Sequence, residues 1–419
     1  MPVDFSLLPP AEEVPNNPPS RFIWTVVFVV LTLFGVFAVL MFWPKGEPTQ
    51  TLWFWVCVTV YPLGIATFVV LRRYSVYEGR RLDALAWNRV REQHIQQVFD
   101  AASSPLGVLA STYRYSADRD ENALEGLLSG ALTLKTRQLP TPDTAPMKTR
   151  WLAPVTGVQN VNPASDQERQ AQLMTWLFTH LLTDVADAIC GLPSAVRLTV
   201  HLNFCGSAMP ANAIEKWQSC WKELKLPGSV AVKEISVTGL MLLDTWLDNA
   251  DVHDGQEARL MVFTQLNDLV NNAPPVDSAE AGVALLLVPV ALAKQYQLPI
   301  VAQVHRPIQG KFDAIHHILE YALRWGKVAL CDVARTWQTG FDVDRSGVLT
   351  TSMVKADVQM SFSDLDKRVG KAGNAAPWLA LACAVEAAQT ESAKQLVANS
   401  TQDNLQLAVV AKRLSETKP

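Results

Sequence analysis

Two stretches near the N-terminus lack the mixing of polar and apolar positions found in the rest of the chain. Phe22–Trp43, FIWTVVFVVLTLFGVFAVLMFW, and Leu52–Leu71, LWFWVCVTVYPLGIATFVVL, contain no charged residue. A helix rises ~1.5 Å per residue, so each run is long enough to cross a ~30 Å hydrocarbon layer. Only PKGEPTQT separates them, which predicts a tight membrane hairpin. Pro62 and Gly64 are tolerated in a membrane helix, and Trp24, Trp43, Trp53, Trp55 and Tyr74 lie where interfacial aromatics belong. The start of the chain is acidic and rich in proline, unlike the basic start of a cleaved signal peptide.

Past residue 73 the pattern changes. Tyr77–Asp100 carries an imperfect helical stripe (Leu82, Leu85, Ala86, Val90, Ile95), and PLGVLASTYRYS reads as a strand. From Trp151 strands and helices alternate. Asp166–Cys190 predicts a long helix, followed by strand AVRLTVHLNFC, helix ANAIEKWQSCWKELK and strand SVAVKEIS. Then come helix GLMLLDTWLDN and the strands ARLMVFTQL, AGVALLLVPV and IVAQVHRPI. Helices KFDAIHHILEYALRWG and APWLALACAVEAAQ precede a final pair, AKQLVANS and LQLAVVAK. This order predicts an α/β body, a mixed sheet with helices on its faces. The unbroken apolar run Ala281–Val290 fits a strand buried on both sides. No sequence repeat is evident. The expected organisation is a tail over 1–21, a transmembrane hairpin over 22–72, a connecting helix and first strand over 73–150, and the α/β body over 151–419.

Composition sharpens this picture. Of 419 residues, 49% are hydrophobic and 18% charged, as a chain with membrane spans would have. The net charge of −4 gives no reason to expect nucleic-acid binding. Arg72, Arg73, Arg80, Arg81, Arg89 and Arg91 follow the second span, whereas the hairpin loop has Lys45 alone. The positive-inside rule then places both ends of the chain in the cytoplasm, at a bacterial inner membrane. Six dispersed cysteines without a C-x-x-C pair fit a reducing compartment.

Candidate chemistry is sparse. DVDRSGVLTTSM opens like a calcium loop at Asp342, Asp344, Ser346 and Gly347, but Met353 stands where a bidentate glutamate is required, so a polar turn is expected. His316 and His317 are adjacent on a predicted helix and point ~100° apart, which rules out a shared metal. No nucleophile elbow, zinc-protease, phosphate-loop or dinucleotide motif is present. No catalytic, cofactor or metal residue is therefore assigned.

EISVTGLMLLDTWLDN, Glu234–Asn249, reads as strand, turn and helix, the shape in which enzymes present a nucleophile. Its order with ARLMVFTQL and DSAEAGVALLLVPVALAKQYQLPIVAQVHRP resembles the thiolase and ketoacyl-synthase superfamily, as does the terminal region Pro377–Lys412. The resemblance implies a cysteine at about Ser236–Thr238, activated by histidines. No cysteine stands there, and no histidine run occurs at Val333–Asp342. Cys205 and Cys331 are the remaining cysteines near strand ends. The segments EISVTGLMLLDTWLDN, ARLMVFTQLND, AEAGVALLLVP, VHRPI and PWLALACAVEAAQ also resemble the type VI secretion lipase-adaptor family. That resemblance implies a non-catalytic, membrane-anchored adaptor that binds a phospholipase effector in the cytoplasm and loads it onto the secretion spike. The expectation is accordingly no enzyme and no cofactor, with a thiolase-like acyl transferase as the alternative.

Overall fold

The structure, a computed structural model, describes residues 9–138, 145–153, 165–207, 210–227, 231–235, 239–248, 256–270, 272–354, 361–402 and 404–412. The chain forms two compact units, 3–100 and a larger one from 101 onward.

In the smaller unit α1 (Arg21–Phe42) is followed by α2 (Leu52–Trp55), a π-helical turn (Val56–Val60) and α3 (Tyr61–Ala102). The second apolar run and the arginine-rich segment thus share one long helical stretch, without a break at residue 72. The two helices are long and apolar enough to be candidate spans, and none of the apolar window of α1 is buried. Outward Phe22, Phe34, Phe37 and Phe42 are what lipid contact would require. The π turn has a local cause. Tyr61 N–H bonds the carbonyl of Val56, five residues back, one position before Pro62. Proline has no N–H and crowds the carbonyl four residues earlier, and the wider turn absorbs that defect. Gly35 lets the helices touch there, since a Cβ at this position would lie 2.8 Å from the Cβ of Pro62.

The larger unit is a mixed sheet built twice on one plan. Its first half contains β1 (Leu106–Arg114), α4 (Leu124–Ser129), a small hairpin of β2 (Thr136–Arg137) and β3 (Met147–Lys148), and α5 (Asp166–Cys190). Next come β4 (Arg197–Cys205), α6 (Pro210–Glu223), β5 (Ala231–Glu234), α7 (Met241–Asp248), β6 (Glu257–Gln265), β7 (Ala281–Pro289) and α8 (Val290–Gln295). The second half contains β8 (Ala302–Val304), β9 (Ile308–Lys311), α9 (Ile315–Gly326), β10 (Val333–Thr339), α10 (Val343–Val354) and β11 (Ser361–Asp364). It ends with α11 (Leu365–Arg368), α12 (Ala376–Glu391), β12 (Lys394–Thr401) and β13 (Asn404–Ala411).

The strand order is β5-β4-β6-β7-β1 in one half and β11-β10-β12-β13-β8 in the other. Counted along this path, without the separate β2–β3 hairpin and the short β9 that also pairs with β13, both read third, second, fourth, fifth, first. In both, the fifth strand is antiparallel to its two neighbours. The halves join where β1 pairs with β8, Leu106 opposite Val304. β7 is buried along nearly its whole length, as its apolar run predicts, although it is antiparallel. The stretch IVAQVHRPI is not one strand. It breaks at His305–Pro307 between β8 and β9. Proline cannot donate to a ladder, and Arg306 turns inward to an ion pair.

Helices α5 and α6 cover one sheet face through Leu173, Leu177, Phe178 and Trp217. On the opposite face lie the two helices that precede the fourth strand of each half, α7 and α12. α12 is apolar all round and buried from Pro377 to Val385, as a helix enclosed by protein must be. Its many alanines allow close approach to the sheet, and Trp378 stacks on Phe263 with ring centroids 4.1 Å apart.

Candidate active site

The two equivalent helices begin at one cavity of about 480 Å³. Gly239 borders it beside α7, and Gly373, Asn374, Ala376 and Pro377 border it at the start of α12. The rest of its described wall comes from the second half: Thr339 at the end of β10 with Gly340, Phe341 and Asp342 after it, Asp366 on α11, Lys371, and Asn399–Thr401 at the end of β12. The connection that leaves a strand end is where an α/β fold presents polar groups.

Asp366 organises this wall. It accepts the Thr339 hydroxyl at 2.8 Å and the Gly340 N–H at 2.7 Å. Burial raises its pKa above the usual carboxylate value, against the lowering effect of those two hydrogen bonds. Gly340 has φ of 76°, and a Cβ there would sit 2.2 Å from the Ser400 carbonyl oxygen. Only glycine lets the chain leave β10 at this angle. Lys371 brings a cation to the rim.

A second network holds the start of α7. Gln406 Oε1 accepts the Leu240 N–H and an Asn399 amide N–H, both at 3.0 Å. Gln406 Nε2 donates to Gln309 Oε1 at 2.7 Å. Further along α7, Arg306 bridges Asp244 at 2.5 Å and Asp248 at 2.7 Å, and its Nε donates to the Ala102 carbonyl at 2.8 Å. Across the cavity, Gln265 Oε1 accepts the Asn374 N–H at 3.2 Å. The supports of the cavity thus come from both halves.

Several residues singled out from sequence fall elsewhere. Ser236–Thr238 lies outside the described residues. Cys205 ends β4 and Cys331 is exposed in a short turn before β10, and neither lines the cavity. His316 and His317 are exposed on α9. The calcium-like stretch is neither a loop nor a turn but α10, and only its first residue, Asp342, reaches the cavity wall. Asp342 accepts the Arg345 N–H at 2.7 Å, so that carboxylate caps a helix. The buried imidazoles of His201 and His305 are both pushed down to about 4 by burial, so they are neutral at pH 7, and neither lines the cavity. Val333–Asp342, searched for histidines, does end in the cavity, with Thr339 and Gly340 in their place. Sequence reasoning missed Thr339, Asp366, Asn374 and Asn399. The signal for Thr339 and Asn399 was a polar residue in the last positions of a strand, as in RTWQTG and VANS.

No family model matches the chain, and no curated protein matches it. Among solved structures it is similar to a ketosynthase from the bacillaene synthase of Bacillus subtilis, at 10% identity and a TM-score of 0.53, over 74% of this chain and 71% of that one. It is similar to an oxazolomycin ketosynthase domain of Streptomyces albus, at 13% identity and a TM-score of 0.52, over 75% of each chain. A third is the ishigamide ketosynthase/chain length factor, at 15% identity and a TM-score of 0.51, over 74% and 99%. The fold is therefore the thiolase-like ketosynthase fold. Nothing among these proteins supports a type VI secretion adaptor. The expectation of a non-enzyme is overturned, because the structures that share this fold are ketosynthases. That expectation took the missing cysteine and histidine motifs for an emptied body, whereas the cavity keeps a carboxylate, hydroxyls and amides.

Proposed function

We propose that the protein is a membrane-anchored acyl-transfer enzyme of the thiolase-like type, acting on a thioester beside the bilayer. The observation that carries this reading is the Thr339–Asp366 pair in the cavity where α7 and α12 begin. Acyl transfer needs a group to take the proton of the attacking nucleophile and donors for the carbonyl oxygen. Asp366, with its pKa raised by burial, is the proton acceptor. Asn374 supplies an amide donor. A hydroxyl acceptor, water when no other is bound, attacks the acyl carbon and forms the new C–O bond, its proton passes to Asp366, the C–S bond breaks, and the thiolate leaves with the electron pair. No cysteine is among the described residues that line the cavity, and this scheme uses no cysteine thioester. The arginines after the second apolar helix support a body on the cytoplasmic side of a bacterial inner membrane, by the positive-inside rule.

The test is thiol release from acyl-CoA by the full chain in lipid nanodiscs. Wild type releases CoA, and Asp366→Asn lowers the rate by about 100-fold, the usual scale for losing a positioned proton acceptor. No release, or an equal rate in the variant, contradicts the proposal. An acyl adduct on Cys205 or Cys331 would place the chemistry outside this cavity.

A further inference from the structure

The proline-rich segment PPAEEVPNNPPS, residues 9–20, runs along α3 in the opposite direction. Tyr74 OH donates to the Pro19 carbonyl at 3.2 Å, and Tyr77 OH to that of Pro15 at 3.1 Å. Trp87 Nε1 donates to Pro10 at 3.2 Å, and Arg91 Nε to Pro9 at 2.6 Å. Between them Asn88 clasps Glu12 twice, its Nδ2 on the carbonyl and its Oδ1 on the N–H, each at 2.9 Å.

The spacing fits an extended ligand. Tyr74 to Arg91 spans ~25 Å of helix, and Pro9 to Pro19 spans ~31 Å as polyproline II but only ~15 Å as α-helix. The contacting positions 74, 77, 88 and 91 recur on one helix face, and Ala84 on the same face is small and buried. Prolines lack an N–H, so an extended proline-rich chain offers mainly carbonyls. This face answers with phenol, indole, amide and guanidinium donors, the chemistry by which aromatic grooves read such peptides. Glu12 and Glu13 give negative charge to a segment that runs along a helix carrying Arg80, Arg81, Arg89 and Arg91.

We propose that the face Tyr74–Arg91 is a recognition site for extended, acidic, proline-rich peptide, with the chain's own residues 9–20 as its resident ligand. The segment leads directly into α1, so its effective concentration at the face is millimolar. A proline-rich segment of another protein engages the face only by displacing it.

The experiment uses the full chain in membranes, with photoreactive benzoyl-phenylalanine in place of Val14. Irradiation is expected to link residue 14 to the 74–91 region of the same chain. Asn88→Ala, a change at a half-buried residue, lowers the yield by about tenfold through the loss of two hydrogen bonds. Trp87→Phe lowers it less. A free peptide of residues 9–20 at millimolar concentration suppresses the link, and a version with its five prolines replaced by alanine does not. A yield indifferent to Asn88→Ala, equal competition by both peptides, or a link to a second copy would each overturn the proposal.

Discussion

The two halves of the body share a strand order and differ in the helix that each places before its fourth strand. α12 has 16 residues, is apolar and buried from Pro377 to Val385, and is held mainly by packing, with a hydrogen bond from Tyr113 to Glu386 near its end. α7 has 8 residues and adds polar contacts to its buried Leu243 and Trp246, at its start from Gln406 and along its length from Arg306. The polar groups of the cavity follow the same division. Thr339, Asp366 and Asn399 come from the second half, while the first half contributes Gly239 and, behind the wall, Gln265. One topology thus serves as a rigid wall with chemistry on its strand ends, and again as a braced frame facing it. The contrast predicts different responses to mutation.

The largest effect is expected in the packed half. Trp378→Ala removes a fully buried ring stacked on Phe263 and should cost about 3–5 kcal/mol in denaturant unfolding. A cost below about 1 kcal/mol would mean that α12 is not held by packing. Arg306→Ala tests the braced half. It leaves Asp244 buried without its guanidinium and should cost about 3 kcal/mol. The loss should be smaller in an Arg306→Ala, Asp244→Ala double variant, and equal losses would remove the ion pair from the account.

Much of this comparison was hidden in the sequence. The buried strand β7, helix α12 and the final strand pair were legible, because long apolar runs have few other uses. The duplication was not, because a strand order can repeat with no repeated residue pattern. The cavity was not, because its wall is assembled from segments separated by more than a hundred residues, Gly239 to Thr401. The α10 stretch was misread because an aspartate that caps a helix and an aspartate that starts a calcium loop look alike in sequence.

Smaller effects should separate the halves by pH. His201 lies in the first half and His305 between β8 and β9, each with a pKa pushed down to about 4 by burial. A lowered histidine pKa contributes stability that is complete above about 6.5 and lost as pH falls toward about 4. Thermal stability should therefore fall as pH drops across that window, and His201→Phe and His305→Phe should each remove part of the slope. An unchanged slope in both would deny that either imidazole is buried neutral. Asp366 works in the opposite sense. Its raised pKa costs stability once pH passes its unfolded value, so Asp366→Asn should gain on wild type as pH rises and lose that advantage in acid. The smallest change is Thr339→Val, at about 1 kcal/mol for the lost hydrogen bond to Asp366.

The central claim is that an acyl chain is handled in the cavity between the starts of α7 and α12. A photoreactive acyl-CoA analogue, irradiated with the full chain in nanodiscs and mapped by peptide mass spectrometry, tests it most directly. Labels within 339–342, 371–377 or 399–401, suppressed by excess acyl-CoA, are predicted. No specific label, or labels confined to other surfaces of the body, would contradict it.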